Sequence, residues 1–286
     1  MKTRSVWTIS AAVLLATVVI CGQQAPGQRG GRGARGGGAK RKVLLAWADT
    51  RNGIAQHDFT SHALAIVERL GYESGVWDTY IRTDSNIVAN TAFKTDGSPA
   101  SGGPSLSNVD GIFFLGHREI EITPKQKEEL LAFVRNGHGF VAAHTGLTAF
   151  ESWPEFGEML GAQYQGHAYT GPAKVINEQP SFPIVKHLPP SFDYTDEFYQ
   201  AKTFSRDKID VLLRLDPASV SGNAVAKDGD YPLAWAKKYG QGRVFYGSFS
   251  HATELWDRRD IQLMYFEAIK WSLGLTDAEP APHALR

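Results

Sequence analysis

The chain is 286 residues long, 42% hydrophobic and 11% aromatic, which supplies a large core and argues against disorder beyond about the first forty positions. Thirty basic and thirty acidic side chains leave no net charge, so nucleic acid and acidic membrane surfaces are disfavoured as partners and small neutral molecules fit better. The single cysteine, Cys21, excludes a disulfide framework and a cysteine metal site.

The chain opens with Met1, Lys2, Thr3 and Arg4, followed by an apolar run from Val6 to Ile20. A basic start and a short apolar stretch mark a secretory signal over residues 1–22, too short for a transmembrane span. Export to the periplasm or the extracellular space is expected, with no integral membrane span after processing. Cys21 closes the run and raises lipoprotein anchoring. Val18-Val19-Ile20 lacks the small residue usual before a lipidated cysteine, so plain cleavage between Cys21 and Ala25 is preferred. Either way the folded domain has no thiolate nucleophile. Residues 23–41, rich in glycine and arginine, read as a disordered linker.

The folded domain is expected over residues 42–275, with 276–286 as a tail. Val43-Leu44-Leu45-Ala46-Trp47 is a continuous apolar run, as in a strand buried on both faces of a parallel sheet. A helix is predicted over 59–70, ended by Gly71, then a strand over 72–77. Residues 111–115 predict a strand. Thr123 and Pro124 open a helix running to about Arg135, with Gly137 beyond it, and 139–143 is another strand. This alternation means a doubly wound, mostly parallel α/β sheet. After Ala149, segments 173–177, 192–199 and 211–215 predict antiparallel additions in the C-terminal half. Residues 233–236 and 243–248 flank the turn Tyr239-Gly240-Gln241-Gly242 as a hairpin, and 261–273 predicts a closing helix.

Ligands of open α/β sheets bind beyond the carboxyl ends of the strands, and several ionisable residues fall there. His117 follows the strand at 111–115, His144 the strand at 139–143 and His251 the strand at 243–248, while His57 and Asp58 stand in the loop after the first strand. One histidine in such a place more often caps a helix or bonds a loop carbonyl; several on one rim point to function. Ala142-Ala143-His144-Thr145-Gly146 puts a polar side chain on a sharp strand exit, the geometry of a nucleophile elbow with imidazole in the nucleophile's place. Such a histidine can transfer protons, hold a metal or donate to a substrate hydroxyl. Tyr164-Gln165-Gly166-His167 and Tyr194-Thr195-Asp196-Glu197-Phe198-Tyr199 set aromatics beside acids. That suits a sugar, whose apolar faces rings can cover while acids bind hydroxyls or move protons. A divalent metal such as zinc has candidate ligands in His144, His167 and His251, with His57 and Glu197 as further donors, although no local spacing of the H-E-x-x-H kind marks a site. Phosphate-loop, dinucleotide and G-x-S-x-G signatures are absent.

Several blocks occur in the order found in ThuA-like (trehalose utilisation) proteins. They are Gly139 to Gly146 around His144, Trp153-Pro154, Leu160-Gly161, Gly166-His167, Asp196-Glu197-Phe198-Tyr199, Pro232-Leu233-Ala234-Trp235, and Tyr239 to Tyr246 followed by His251 and Trp256. From Lys42 to Leu275 the chain resembles that family. The resemblance implies a flavodoxin-like sheet similar to class I glutamine amidotransferases, with His144 where their cysteine stands and His251, then Glu254, where their histidine and acid lie. Glutamine amidotransferase activity is therefore not expected. The resemblance also implies a part in the catabolism of disaccharides such as trehalose, or of 3-keto glycosides.

His57, His144, His251 and Glu197 are thus the candidate catalytic residues, and Asp58, His117, His167, Asp196, Tyr199 and Trp256 the candidate substrate contacts. The first reading is an enzyme acting on carbohydrate by acid/base or metal-assisted chemistry; a proton beside a keto group is acidic enough to need no covalent nucleophile. The alternative is a non-catalytic carbohydrate-binding or scaffold module. An amidase using Thr145 would need activation by His251. Clustered imidazoles would favour the enzyme over the module. No pattern in the chain specifies an oligomeric state.

Overall fold

A computed structural model describes residues 40–51 and 57–286. The expected signal peptide, Cys21 and nearly all of the linker lie outside the described residues. In chain order the elements are β1 (Lys42–Trp47), α1 (Thr60–Ser74), β2 (Trp77–Arg82), β3 (Gly111–Phe114), α2 (Pro124–Arg135), β4 (Gly139–Ala143), α3 (Pro154–Leu160), β5 (Gln163–Asn177), β6 (Ser191–Lys202), β7 (Asp210–Leu215), β8 (Pro232–Tyr239), β9 (Gly242–Gly247) and α4 (Arg259–Ser272). The strands form one nine-stranded sheet in the order β2-β1-β3-β4-β9-β8-β7-β5-β6. From β2 to β9 the pairings are parallel, and from β9 to β6 they are antiparallel. The α/β class and the antiparallel additions in the C-terminal half are as the sequence leads one to expect.

Burial on both faces explains the unbroken apolar run of β1. Leu44 and Ala46 join a core with α1 residues Ala63, Leu64 and Val67 and α4 residues Met264 and Ala268. Leu45 and Trp47 point the other way, into a core with Leu130 and Phe133 of α2 and Phe156 and Met159 of α3. Each such large side chain contributes roughly 1.5–3 kcal/mol by leaving water.

Two expectations near α1 are corrected. The helix runs through Gly71 to Ser74 and stops at Gly75, φ +70°, and the strand placed at 72–77 begins only at Trp77. Gly71 is there for close packing: a Cβ on it would stand 2.3 Å from the Trp77 Nε1. By contrast α2 starts as expected, with the Thr123 hydroxyl accepting the Gln126 N–H and the Gln126 side chain returning to the Thr123 N–H, a reciprocal capping box. α3 was not expected. β5 is far longer than the 173–177 segment, because bulges between Tyr164 and Gly166 and between Gly166 and Tyr169 break the alternation that would announce a strand.

The segment 276–286 has no regular element, yet it is tied down. Its Ala281 N–H donates to Asp210 Oδ2 at 2.8 Å, and Arg214 reaches the Arg286 carbonyl at 3.0 Å. Among the described residues no helix is long and apolar enough to cross a membrane.

Candidate functional site

His144 leaves β4 with φ +34°, a left-handed conformation that costs a residue with a Cβ. Gly146 makes the turn sterically feasible, since a Cβ there would stand 2.9 Å from the Ala142 Cβ and 3.3 Å from the Phe114 carbonyl oxygen. The His144 side chain is fully buried. Its Nδ1 meets the Ser248 carbonyl at 2.7 Å. A carbonyl only accepts, so Nδ1 carries the proton and donates, which turns Nε2 toward the other members of the site.

After β9 the chain takes a second left-handed residue, Ser250 at φ +80°, and presents His251. Asp196 holds this loop: its carboxylate accepts the Ser250 N–H at 2.6 Å and the His251 N–H at 3.0 Å. The Trp256 indole donates to the Ser250 carbonyl at 2.9 Å. Adjacent residues of a strand point to opposite faces, so Asp196 of β6 faces this loop while Glu197 faces His144. His57 stands just before α1, where its carbonyl accepts the Thr60 N–H at 3.1 Å and hydroxyl at 2.9 Å.

One ligand atom from each of His57, His144, Glu197 and His251 lies within 4.8 Å of the other three. The tightest part is a triangle: His144 Nε2 to Glu197 Oε2 is 3.3 Å, His251 Nδ1 to the same oxygen 3.1 Å, and the two nitrogens 3.3 Å apart. Metal bonds of about 2.0 Å in a tetrahedron give ligand separations of about 3.3 Å, so these residues fit a divalent cation of the zinc type. A bond such as that from His144 to Ser248 is the outer contact that would fix an imidazole for metal binding. With Nδ1 committed, either a proton or a cation must lie between His144 Nε2 and the carboxylate, because two lone pairs facing each other there would repel.

Burial pushes the Glu197 carboxyl up, but the His144 hydrogen bond and the charges of His251, His144 and His167 outweigh it and hold the group at about 2. His57 is pushed down to about 4, first by burial and then by His144, His117 and His251, against the pull of Glu197. Burial also raises Asp196, against His144 and the backbone N–H groups it accepts. Tyr199 is raised by burial first and by Glu197 next, so its phenol stays protonated as a hydrogen-bond partner of Glu197, with its ring 4.2 Å from that of His144.

The four candidate catalytic residues therefore converge. Of the residues considered as metal ligands, His57, His144, Glu197 and His251 come together, whereas His167 stands half-exposed on the rim, its Nε2 3.7 Å from Glu197 Oε1 and its Nδ1 bonded to the Tyr164 hydroxyl. The bulged stretch of β5 puts both side chains there. His117 is buried with its ring 5.0 Å from His57. Asp58 is exposed and lines a hollow of about 320 Å³ with His57, Thr60, Ser61 and Thr83. Of the remaining expected substrate contacts, Asp196 and Trp256 are buried and bonded to the His251 loop, and Tyr199 is buried behind His144 and Glu197. All three are placed to position other groups rather than to meet a ligand from solvent. Glu254 is exposed; the acid that His251 meets is Glu197. Thr145 is buried and donates to the Leu115 carbonyl at 3.4 Å. Residue types alone did not reveal the Ser248 carbonyl, because a main-chain acceptor has no sequence signature. Tyr164 had one, its place beside His167.

The fold and site together define a mixed α/β protein with a histidine and carboxylate centre at the carboxyl ends of its central strands. The sequence profile of the ThuA family, described as trehalose utilisation, matches residues 42–272. The chain belongs to that family. A ThuA-like protein of Bacteroides uniformis superposes with a TM-score of 0.65 at 22% identity, covering 84% of this chain and 95% of the other. One of Parabacteroides merdae gives 0.62 at 17% identity, covering 82% and 90%. A β-galactosidase of Bacillus circulans gives 0.50 at 12% identity, covering 84% of this chain but 32% of that enzyme. At these identities the likeness is one of fold. No curated protein sequence was found to match the chain.

Proposed function

We propose that the chain is an enzyme acting on carbohydrate, a disaccharide or its 3-keto form, at the His57, His144, His251 and Glu197 centre. The convergence of three imidazoles and a carboxylate carries the reading. A sugar-binding module needs rings and hydroxyl partners but has no use for a buried histidine on a strained turn with its tautomer fixed. Family membership supports the sugar.

These four residues would hold a divalent ion such as zinc, which supplies Lewis acidity toward a sugar carbonyl or hydroxyl oxygen. Glu197, kept ionised, would supply the anionic ligand of that ion. His251, 41% exposed at the side chain, is the imidazole best able to touch substrate. His167 and Tyr164, on the rim, are placed to donate to hydroxyls. The sequence offers no cysteine in the folded domain, so glutamine hydrolysis through a thioester is not part of the proposal. The basic and apolar opening, Lys2 to Ile20, supports export of this activity.

Metal analysis of the purified protein, with His144→Ala and His251→Ala beside wild type, is the test, run together with turnover of disaccharides and their 3-keto forms. Stoichiometric metal in wild type, lost with turnover in both variants, is expected. Turnover that survives both substitutions would sink the proposal.

A further inference from the structure

β1, β2 and β3 end on the same rim as the histidine centre, and beyond them lies a separate hollow of about 590 Å³ walled by Arg51, Asn86, Phe93, Glu119 and Glu121 above Asp49. That size is ordinary for a small-molecule pocket. Asp49 is 3% exposed and organises the wall. Its carboxylate accepts the Arg51 N–H at 2.8 Å, the Arg51 Nη2 at 2.9 Å and the Ser85 hydroxyl at 2.5 Å. The guanidinium, tied also to Asn86 Oδ1 at 3.3 Å, is fixed in place while 48% of the side chain stays exposed. Glu119 accepts the Ser152 N–H and hydroxyl at 2.7 and 2.9 Å, which fixes its carboxylate as well. Phe93, partly buried, gives the hollow an apolar face.

A fixed donor fork, an amide, two carboxylates and an aromatic face suit a neutral polyhydroxylated ring, whose hydroxyls donate and accept and whose C–H face rests on an arene. The negative charges of Glu119 and Glu121, against one guanidinium already paired with Asp49, oppose a phosphorylated ligand. Position matters as much as chemistry. β1 pairs with β3 and β3 with β4, so the exits carrying Asp49 and His144 are two strands apart, about 10 Å at about 4.8 Å per strand. His117, two residues before Glu119 on the β3 exit, stands between them, its ring 5.0 Å from that of His57. Two linked pyranose rings span such a distance.

We propose that this hollow is the subsite for the second ring of a glycoside whose first ring lies at the histidine centre. The proposal rests on the carbohydrate reading above. Calorimetric titration of the full chain with glucose and with trehalose, for wild type, Phe93→Ala and Glu121→Gln, tests it. Wild type should bind trehalose more tightly than glucose. Phe93→Ala should weaken trehalose about tenfold, the equivalent of about 1.4 kcal/mol, and glucose much less; Glu121→Gln, a milder change that guards against misfolding, should move the same way. Trehalose affinity unchanged in both variants, or equal affinity of wild type for the two sugars, overturns the subsite alone. If wild type binds neither these sugars nor their 3-keto forms, the carbohydrate reading falls and takes the subsite with it.

Discussion

His57 shares its surroundings with three other imidazoles, and its charge follows from that company. Its folded value of about 4 lies below the ordinary 6.5 because burial, then His144, His117 and His251, oppose a further positive charge. The unfolded chain therefore binds this proton more tightly than the folded one. The contribution of His57 to stability is complete above pH 6.5 and is lost as pH falls toward 4. NMR titration of the His57 ring in metal-free protein should give a midpoint near 4, and His57→Asn should flatten the acid limb of stability across that window; a midpoint near 6.5 would contradict the assignment. Asp196 leads to a second expectation. Alanine there leaves the buried Ser250 N–H and the His251 N–H without their acceptor, at roughly 1–3 kcal/mol for a buried group. Urea denaturation should show a loss of about 2 kcal/mol or more, together with weakened metal binding through a displaced His251. That His57, His144 and His251 share one rim was legible from their places at or near predicted strand ends, and Glu197 stood out as an acid among aromatics. The division of labour between Asp196 and Glu197 was less so, because two adjacent acids look alike until the strand is assigned a face.

Local signals decided which elements could be read in advance. α2 announces itself through Thr123, Pro124 and Gln126, all within one turn, and its capping box should be worth about 1 kcal/mol: Thr123→Ala should lower the unfolding free energy from urea titration by that amount and leave ligand binding alone. Gly71 misled, since a glycine that admits a neighbouring ring and a glycine that ends a helix are the same letter. Replacing it with alanine sets a Cβ against the Trp77 indole, where 2.3 Å is available, and should cost roughly 1–3 kcal/mol in thermal or urea unfolding. A neutral result would mean that Trp77 swings aside freely. β5 escaped detection over its first half because its bulges break the two-residue rhythm, and the same bulges aim Tyr164 and His167 at the rim.

Across the whole molecule, the site depends on topology. Its donors come from the β1 to α1 loop, the end of β4, β6 and the loop after β9, and no spacing along the chain records their convergence. The parallel half of the sheet was inferable from the alternation of elements, whereas the place of His57 beside His144 and of His167 on the rim hinges on loop paths that no periodicity encodes. The last residues are also part of the structure. Glu178 and Asp210 are buried carboxylates, and His283 lies 3.6 Å from each while Ala281 bonds Asp210. Truncation after Pro280 should therefore lower stability by about 2 kcal/mol, or roughly 4–8 °C in Tm; an unchanged Tm would show the tail to be ornamental.

The left-handed turn at His144 has a consequence for what this scaffold can become. Its strain belongs to the backbone, relieved by the bare Gly146, and not to the imidazole it displays. Position 144 therefore behaves as a socket. Asparagine, which tolerates this conformation well and keeps a donor for the Ser248 carbonyl, should seat there with the sheet intact. The frame of this rim is thus set by the backbone, and a designed side chain at 144 meets the same strand exit that now carries the imidazole.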